Sequence, residues 1–215
     1  MKAPTAGAIK QAKGGTAPDF TRIKMGKIVY SDIANFIPGV NLSRIESEES
    51  GEEYRFYTAQ LHQIDDWQPE VIVSEKEQVV KSTSLLKVTR ENDVIINLAN
   101  AKAVLVKQEH AGRILGNNFV KVELDVSRVS PLFWIWHFNE SKVIAQQKSF
   151  VLQGSTVPKL TLQMVRQFEL DLPRLKKQQA IGELYLHLRM KDYYEYNLMK
   201  LKQQYYFAII ENLSK

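Results

Sequence analysis

The chain has 215 residues, of which 44% are hydrophobic and 25% are charged. This length suits one sizeable domain with a long appendage, or two small domains, and the composition excludes a wholly disordered chain or a collagen-like repeat. The absence of cysteine excludes disulfides, thiol nucleophiles and cysteine-ligated zinc or iron–sulfur sites.

The charge of the chain is mildly basic and unevenly distributed. There are 29 Lys and Arg against 24 Asp and Glu, a formal charge of +5. Residues 41–80 carry three basic and ten acidic groups, whereas residues 81–121 carry seven basic and three acidic groups. Segregated basic segments favour a polyanion such as double-stranded DNA as partner. Since there is neither a membrane-length apolar run nor a signal peptide, we expect a cytoplasmic protein without membrane contact.

The first half of the chain predicts a flexible arm and then a β-rich region. Residues 1–21 have almost no large apolar side chain and predict the arm. Ser31 and Asp32 are suitable N-cap residues, which predicts a short helical turn ending by Pro38, and the acidic residues 41–53 predict a loop. Aromatic, β-branched and alternating residues predict strands at 54–58, 71–73, 84–88, 93–98, 103–107 and Phe119–Leu124.

Two helices are predicted in the second half. Pro131 precedes an aromatic run that reaches Phe138, and proline suits the first position of a helix, which we expect to pack across the sheet. Residues 173–215 have no proline after Pro173 and a single glycine, Gly182, which predicts a helix about 60 Å long. An apolar stripe on so long a helix indicates cover by another helix. The stripe consists of Ile181, Leu184, Leu188, Tyr194, Leu198, Leu201, Tyr205 and Ile209.

Motifs for catalysis are largely absent. The sequence has no phosphate-binding loop, no nucleophile elbow, no zinc-protease helix and no amino-methyltransferase tetrapeptide, and its four histidines lack metal-ligand spacing. Asp125, Glu140 and Lys142 match the acid and lysine spacing of metal-dependent nucleases, but two of them follow an aromatic helix rather than lying on an apolar strand. A nuclease is therefore kept as an alternative, and we expect no enzyme activity, no cofactor and no metal.

Basic and amide side chains in the middle of the chain are candidates for DNA contacts. Lysine and arginine neutralise phosphates, and asparagine is able to bond adenine edges. The candidates are Lys81, Lys87, Lys102, Arg113, Asn117, Asn118, Lys148 and Lys159.

The order of several segments resembles a known family. Residues 93–96, 103–106 and 116–122 look like the core of a target recognition domain, and residues 154–162 are similar to the segment that closes it. Residues 170–181, which contain a proline stop and a Gln-Gln pair, resemble the start of a conserved long helix. The family is the specificity subunits of type I restriction-modification enzymes, and the resemblance adds Ser155 and Thr156 to the candidates for DNA contacts.

The sequence departs from this family in two respects. The family often has a Gly-rich turn where residues 97–102 have no glycine. Family members usually carry two recognition domains and two helical segments, whereas this chain has one of each. The resemblance therefore implies a half-length subunit of α+β class, with a recognition domain at 22–172 and a spacer helix at 173–215 that pairs as an antiparallel coiled coil.

The resemblance also implies a function. The globular domain would read one half-site of a bipartite DNA target, and two copies joined through their helices would form a homodimer that reads both half-sites. Separate modification subunits docked on the helices would methylate adenine, and cleavage would require a further ATP-dependent motor subunit. The alternative from the interaction class is a decoy that binds modification subunits without contacting DNA.

Overall fold

The fold combines short strands with helices of very different length. The computed structural model describes residues 27–41, 45, 47–73, 78–83, 88–152 and 159–215. Within these ranges the strands are β1 (Ile28–Val29), β2 (Ala34–Pro38), β3 (Glu52–Tyr57), β4 (Val79–Ser82), β5 (Val94–Asn97), β6 (Lys102–Leu105), β7 (Arg113–Leu115), β8 (Phe119–Leu124) and β9 (Glu169–Leu170). The helices are α1 (Ala59–Asp65), α2 (Pro131–Glu140), α3 (Lys142–Leu152), α4 (Leu162–Arg166) and α5 (Leu175–Leu213).

A four-stranded antiparallel sheet in the order β2-β8-β5-β6 is the centre of the fold. All four residues of β5 are buried, because both faces of the sheet are covered. Successive side chains of a strand point to opposite faces, so Val94 and Ile96 join the main core on one side while Ile95 joins a second cluster with Tyr57 and Leu61 on the other. This sheet positions both the turns and the helices discussed below.

A second sheet of three strands, in the order β4-β3-β7, carries the acidic part of the chain. Strand β3 pairs with β4 antiparallel and with β7 parallel. The predicted strand 54–58 corresponds to β3, which confirms it with shifted ends. Strands β4 and β7 lack the alternation that would have predicted them, since each is only three or four residues long.

Helix α2 begins at Pro131 as predicted and fills the main core. Trp134 and Phe138, one helical turn apart, are fully buried and stack with ring centroids 5.3 Å apart. The Tyr30 ring lies 4.9 Å from Trp134, which ties the start of the described chain to this helix. Aromatic side chains bury large areas, so this helix supplies much of the core between the central sheet and α5.

Two local predictions are wrong. Ser31 and Asp32 do form a single 3-10 turn, but the chain then continues as strand β2 to Pro38 instead of a helical turn. Five residues of β2 pair with β8, and this pairing outweighs the local capping signal. Residues 71–73 form no strand, and Ile72 is 88% exposed. Among the described residues, no strand pairs with them.

Other predictions concern segments that the structure describes only in part. The predicted arm at 1–21 and residues 84–87 of the predicted strand 84–88 lie outside the described residues. Val88, at the end of that strand, forms an isolated bridge with Ile114. The predictions at 93–98 and 103–107 are confirmed as β5 and β6, and Phe119–Leu124 is confirmed as β8 with both ends correct.

The mixed α+β class and the long C-terminal helix are confirmed. Helix α5 has 39 residues, about 58 Å at 1.5 Å per residue. None of the helices in the described ranges is both long enough and apolar enough to cross a bilayer. Near its start, α5 lies so close to α2 that a Cβ added at Gly182 would be 2.6 Å from the Leu132 Cβ and from the Phe133 backbone nitrogen. Glycine therefore permits the close approach of these two helices.

Gln178 fixes the start of α5 to the rest of the fold. Its side chain is 1% exposed and accepts a hydrogen bond from the Ser130 backbone N–H at 2.9 Å. Its amide nitrogen donates to the carbonyl oxygens of Arg128 and Pro173 at 3.0 and 2.8 Å. One buried amide thus satisfies backbone groups from two segments of the chain.

We expect Gln178→Ala to lower the free energy of unfolding by about 2 kcal/mol, because it leaves a backbone N–H and two carbonyl groups without this partner. Chemical denaturation followed by circular dichroism measures the change. Gln179→Ala is the matched control, since the neighbouring glutamine is exposed. Equal stability of the two variants would contradict the role given to Gln178.

Two buried histidines make stability depend on pH. Burial lowers the pKa of His62 and of His137 to about 4. His137 also bonds the Tyr30 hydroxyl through Nδ1, at 2.8 Å. An unfolded histidine has a pKa near 6.5, so between pH about 6.5 and 4 the unfolded chain binds more protons than the folded chain.

The free energy of unfolding should therefore fall as the pH is lowered from about 6.5 to 4, by up to about 1.4 kcal/mol per pH unit for each histidine. Urea denaturation at a series of pH values measures this slope. His137→Asn should reduce the slope, whatever its effect on absolute stability. An unchanged slope in that variant would show that other groups produce the dependence.

Candidate nucleic-acid interface

Two turns lie side by side at one end of the central sheet. The first, 98–101, connects β5 to β6, and the second, 116–118, connects β7 to β8. The Leu98 backbone N–H donates to the carbonyl oxygen of Asn118 at 2.9 Å and joins them. We call the surface formed by residues 98–102, 116–118 and Lys159 the turn face.

A close approach of two glycines holds the second turn in place. A Cβ added at Gly39, just after β2, would lie 2.1 Å from the carbonyl oxygen of Gly116. The Val40 N–H donates to the Leu115 carbonyl oxygen at 2.8 Å beside this contact. The sequence places small residues here because any side chain at Gly39 would displace the turn that carries Asn117 and Asn118.

Exposed polar groups cover the turn face. The Lys159 ammonium donates to the Asn118 side-chain oxygen at 2.6 Å, so residues 41 positions apart form one hydrogen-bonded unit. Asn117 and Asn118 are exposed, and the Lys102 ammonium lies 2.9 Å from the Glu140 carboxylate at the end of α2. Ammonium groups next to amides on a protruding surface suit contact with phosphates and base edges.

Lys148 has a different environment from the other candidates. Its ammonium donates to the carbonyl oxygens of Ala101 and Phe138 at 2.8 and 2.6 Å and lies 3.7 Å from the centre of the Phe138 ring. Burial lowers the pKa of this amine to about 8. The lysine thus bonds the turn 98–101 and the last turn of helix α2 from the interior of the protein. We therefore leave it out of the DNA contacts proposed below.

The structure brings together only part of the predicted set of DNA contacts. Lys102, Asn117, Asn118 and Lys159 lie on the turn face, with Lys148 beneath it. Lys81 lies on β4, where its ammonium is 3.6 Å from Glu53, and Arg113 lies on β7 of the same sheet. Lys87, Ser155 and Thr156 lie outside the described residues.

The sequence did not predict the residues that support the turn face. Asn139, the penultimate residue of α2, uses its side-chain amide to bond both backbone groups of Ala103. The Tyr185 hydroxyl, on α5, bonds Asn139 and Glu140 at 3.3 Å each. A polar residue at the end of an aromatic helix was the only available signal, and it did not indicate which backbone groups it would bond.

The proposed nuclease residues are far apart. The Asp125 carboxylate accepts a hydrogen bond from the Ser127 N–H, just beyond the end of β8 that is opposite to the turn face. Glu140 pairs with Lys102 at the turn face. The first and last of the six residues of β8 are five steps apart, roughly 16 Å at 3.3 Å per residue. In the described part of the chain no three potential metal-ligating side chains cluster.

A buried acid–histidine pair lies on the far side of the central sheet. The Asp65 carboxylate bonds the ring of His110 at 2.7 Å and the hydroxyl of Tyr57. The side chains of His110 and Asp65 are only 7% and 0% exposed. Almost none of the side-chain surface of this pair is exposed, and its bonds join α1 to the segment after β6. We therefore assign it a structural role.

The first half of α5 packs on its own domain. Ile181 contacts the main core, and Tyr194 lies against Trp67 with ring centroids 6.1 Å apart, although it stays largely exposed. Arg189 donates to the carbonyl oxygen of Asp66 at 2.7 Å. The sequence predicted that another helix covers the whole stripe. Ile181 and Tyr194 instead contact residues of their own domain.

The other members of the stripe are exposed: Leu184, Leu188, Leu198, Leu201, Tyr205 and Ile209. At 100° per residue, Leu198, Tyr205 and Ile209 point about 140–180° away from the helix face that carries Arg189, Tyr193 and Lys200, which face the domain. Leu201 points about 100° away from that face. Every residue from 198 to 213 is exposed, including the large apolar Met199, Tyr206, Phe207, Ile210 and Leu213. Monomeric proteins rarely expose apolar patches of this extent.

Comparison with known proteins finds similarity in structure and not in sequence. No protein-family model matches the chain, and no curated protein matches it. A chain from a solved type I restriction-modification system aligns with 94% of this chain and 46% of its own length, with a TM-score of 0.56 and 14% identity.

Two solved specificity subunits are also similar. The type I restriction-modification S subunit from M. genitalium aligns with 83% of this chain and 42% of its own length, with a TM-score of 0.52 and 12% identity. The HsdS subunit from Thermoanaerobacter tengcongensis aligns with 86% and 41%, with a TM-score of 0.49 and 14% identity. This chain thus spans less than half of each solved chain. At these identities the likeness concerns the fold, which is that of one half of a type I specificity subunit.

Proposed function

We propose that this chain is a non-catalytic, sequence-specific DNA-binding protein that acts as a half-length specificity subunit of a type I restriction-modification system. The observation that carries the proposal is the combination of one recognition-type domain with one long helix, in the fold of half of such a subunit. The segregated basic charge and the polar turn face support DNA as the ligand.

The turn face is the surface we assign to DNA. It protrudes from one end of the sheet and presents Lys102, Lys159, Asn117 and Asn118. Phosphate contacts from the lysines would set position and affinity, and the amides would read bases. Lys81 and Arg113, on the second sheet, remain further candidates for contacts outside this face.

The exposed stripe of α5 is the surface we assign to a second copy of the chain. Antiparallel pairing of two helices would cover Leu198, Leu201, Tyr205 and Ile209 and would place one domain at each end of the pair. A homodimer with two-fold symmetry reads two inverted half-sites with a fixed spacer. Modification subunits, and a motor subunit where cleavage occurs, would dock on this assembly in the cytoplasm.

Selection of bound sequences from random duplexes tests the proposal. We expect a bipartite, inverted motif, with affinity that falls as salt is raised. The selection is run with the chain alone and with a modification subunit added. Failure to select any motif in either case would contradict DNA recognition, and binding to the modification subunit without DNA affinity would favour the decoy.

Lys159→Ala should weaken DNA binding by a similar factor for all sequences and reduce the slope of log affinity against log salt by about one, because one phosphate contact is lost. Fluorescence anisotropy at several salt concentrations measures both quantities. Lys200→Ala is the control, since this lysine pairs with Glu70 away from the turn face. Losses that depend on the sequence of the duplex would instead assign Lys159 to base reading.

A further inference from the structure

A cavity of about 620 Å³ lies between the edge strand β6 and helix α5. It is at the Leu105 end of β6, away from the turn face, which lies at the Lys102 end. Its volume is in the range of sites that enclose small organic molecules. None of the surfaces assigned above to DNA or to a second copy uses it.

The outer edge of β6 binds a planar amide at Ala103, the second residue of the strand. The Ala103 backbone N–H donates to the Asn139 side-chain oxygen at 2.8 Å, and the Ala103 carbonyl oxygen accepts from the Asn139 amide nitrogen at 2.8 Å. The N–H and carbonyl of Ala103 therefore bind one flat group that carries an acceptor next to a donor. Strand β6 is at the edge of the sheet, and the Asn139 amide takes the place that a further strand would occupy.

Leu105 presents the same pair of backbone groups to the cavity. Residues of an antiparallel strand alternate between facing the partner strand and facing away from it. Val106 donates to the Asp93 carbonyl oxygen on the β5 side, and Ala103 faces the outer edge, so Leu105 faces outward as well. The next outward N–H, of Lys107, is taken by Asp65 at 3.2 Å. In the described part of the chain, no group bonds the outward N–H and carbonyl of Leu105.

The walls of the cavity suit an aromatic ring. Trp67, Tyr193 and Tyr194 form one side, and the apolar side chains of Leu132, Ile135 and Leu186 form the floor. Aromatic rings prefer stacked or edge-to-face neighbours, and apolar area drives a flat ring out of water. A ring whose edge carries a donor beside an acceptor would reach the Leu105 groups as Asn139 reaches those of Ala103.

The charges around the cavity disfavour an anionic ligand. Four acids line it, against the single ammonium of Lys107: Asp65, Asp66, Glu91 and Glu109. That ammonium donates to the Ile64 carbonyl oxygen at 2.7 Å and lies 3.9 Å from the centre of the Trp67 ring, so it is already engaged. A phosphate group would face the acids without a free cation.

We propose that this cavity binds an uncharged nucleobase or nucleoside, held by a donor–acceptor edge on the Leu105 backbone and by the aromatic wall. Adenosine has this edge in its amino group and the adjacent ring nitrogen. The proposal does not depend on DNA recognition by the turn face, so an experiment that refutes nucleoside binding leaves DNA recognition untouched, and the reverse holds as well. Because α5 forms one wall, the bound nucleoside also braces the helix against the domain.

Isothermal titration calorimetry of the full chain with three matched probes tests the proposal. Adenosine should give saturable binding. Purine riboside, which lacks only the amino group, should bind at least tenfold more weakly, because the Leu105 carbonyl loses its donor. Adenosine monophosphate should also bind more weakly than adenosine. Absence of saturable adenosine binding, or equal affinity for purine riboside, would overturn the proposal.

Two variants test whether adenosine binds in this cavity. Leu186→Trp fills the cavity floor and should weaken adenosine binding at least tenfold, whereas Leu188→Trp, at a half-exposed position outside the cavity, should leave it unchanged. Leu105→Pro removes the N–H that faces the cavity without removing a bond to β5 and should also weaken binding. Equal binding by wild type and by a folded Leu186→Trp or Leu105→Pro variant would show that adenosine binds elsewhere.

Discussion

Gly182→Val is expected to lower the free energy of unfolding by about 3 kcal/mol and to loosen α5 from the globular domain. Even the first added carbon would lie 2.6 Å from the Leu132 Cβ and the Phe133 backbone nitrogen. The Phe133 backbone belongs to a helix and does not move aside as a flexible side chain would. The two added methyl groups increase the overlap, and overpacking of this kind is costly.

Ala180→Val is the matched control for Gly182→Val. Position 180 is exposed on the same helix, so this change carries the helix-propensity cost of valine without the clash. Denaturation in guanidinium chloride gives both stabilities, and limited proteolysis reports release of α5. Equal stability of the two variants would contradict the close packing of α5 on α2.

Leu201→Glu is expected to dissociate the proposed dimer, weakening self-association roughly a hundredfold. Leu201 is 62% exposed in the single chain and lies in the middle of the stripe. In a helix pair the new carboxylate would be buried without a partner, which costs about 3 kcal/mol. Leu198→Glu should have a similar effect for the same reason.

Sedimentation equilibrium of the wild type and the variant measures the change in mass. Gln203→Glu is the control, because it adds the same charge two residues further along, on nearly the opposite side of the helix. DNA binding gives a second readout, since a monomer would retain affinity for one half-site and lose the requirement for the spacer. A wild type that stays monomeric at high concentration would refute the pairing.

The elements predicted from the sequence are those whose signal is local. Strand β8 alternates apolar and polar residues because one face lies on the core, and α2 begins where a proline fits the first helical position. The length of α5 follows from the absence of helix breakers. Strand β2 and the short helix α1 depend on contacts with distant segments, so their local sequence carried little information.

The candidate interface was predictable in composition and not in geometry. Lys159 and Asn118 form one unit only because the fold brings residues 41 positions apart into contact. Lys148 is the same residue type as Lys159, yet its ammonium donates hydrogen bonds to two backbone carbonyl oxygens inside the protein. The direction of each side chain decides between these roles, and that direction follows from tertiary packing.

Because α5 is long and contacts its domain in its first part, a small displacement near the domain becomes a larger displacement at the free end of the helix. The helix is fixed at its start by Gln178. Tyr193, which contacts Trp67, lies 15 residues after Gln178, and the free end at Leu213 lies 35 residues after it. A sideways shift of about 1 Å at Tyr193 is magnified to about 2.3 Å at the tip, because both distances scale with 1.5 Å per residue. With two such arms in series the error approaches 5 Å, more than the 3.4 Å rise of one base pair. In a paired molecule the separation of the two domains would then depend on the contacts that hold α5 against its own domain, namely Tyr193 with Trp67, Arg189 with Asp66 and Lys200 with Glu70.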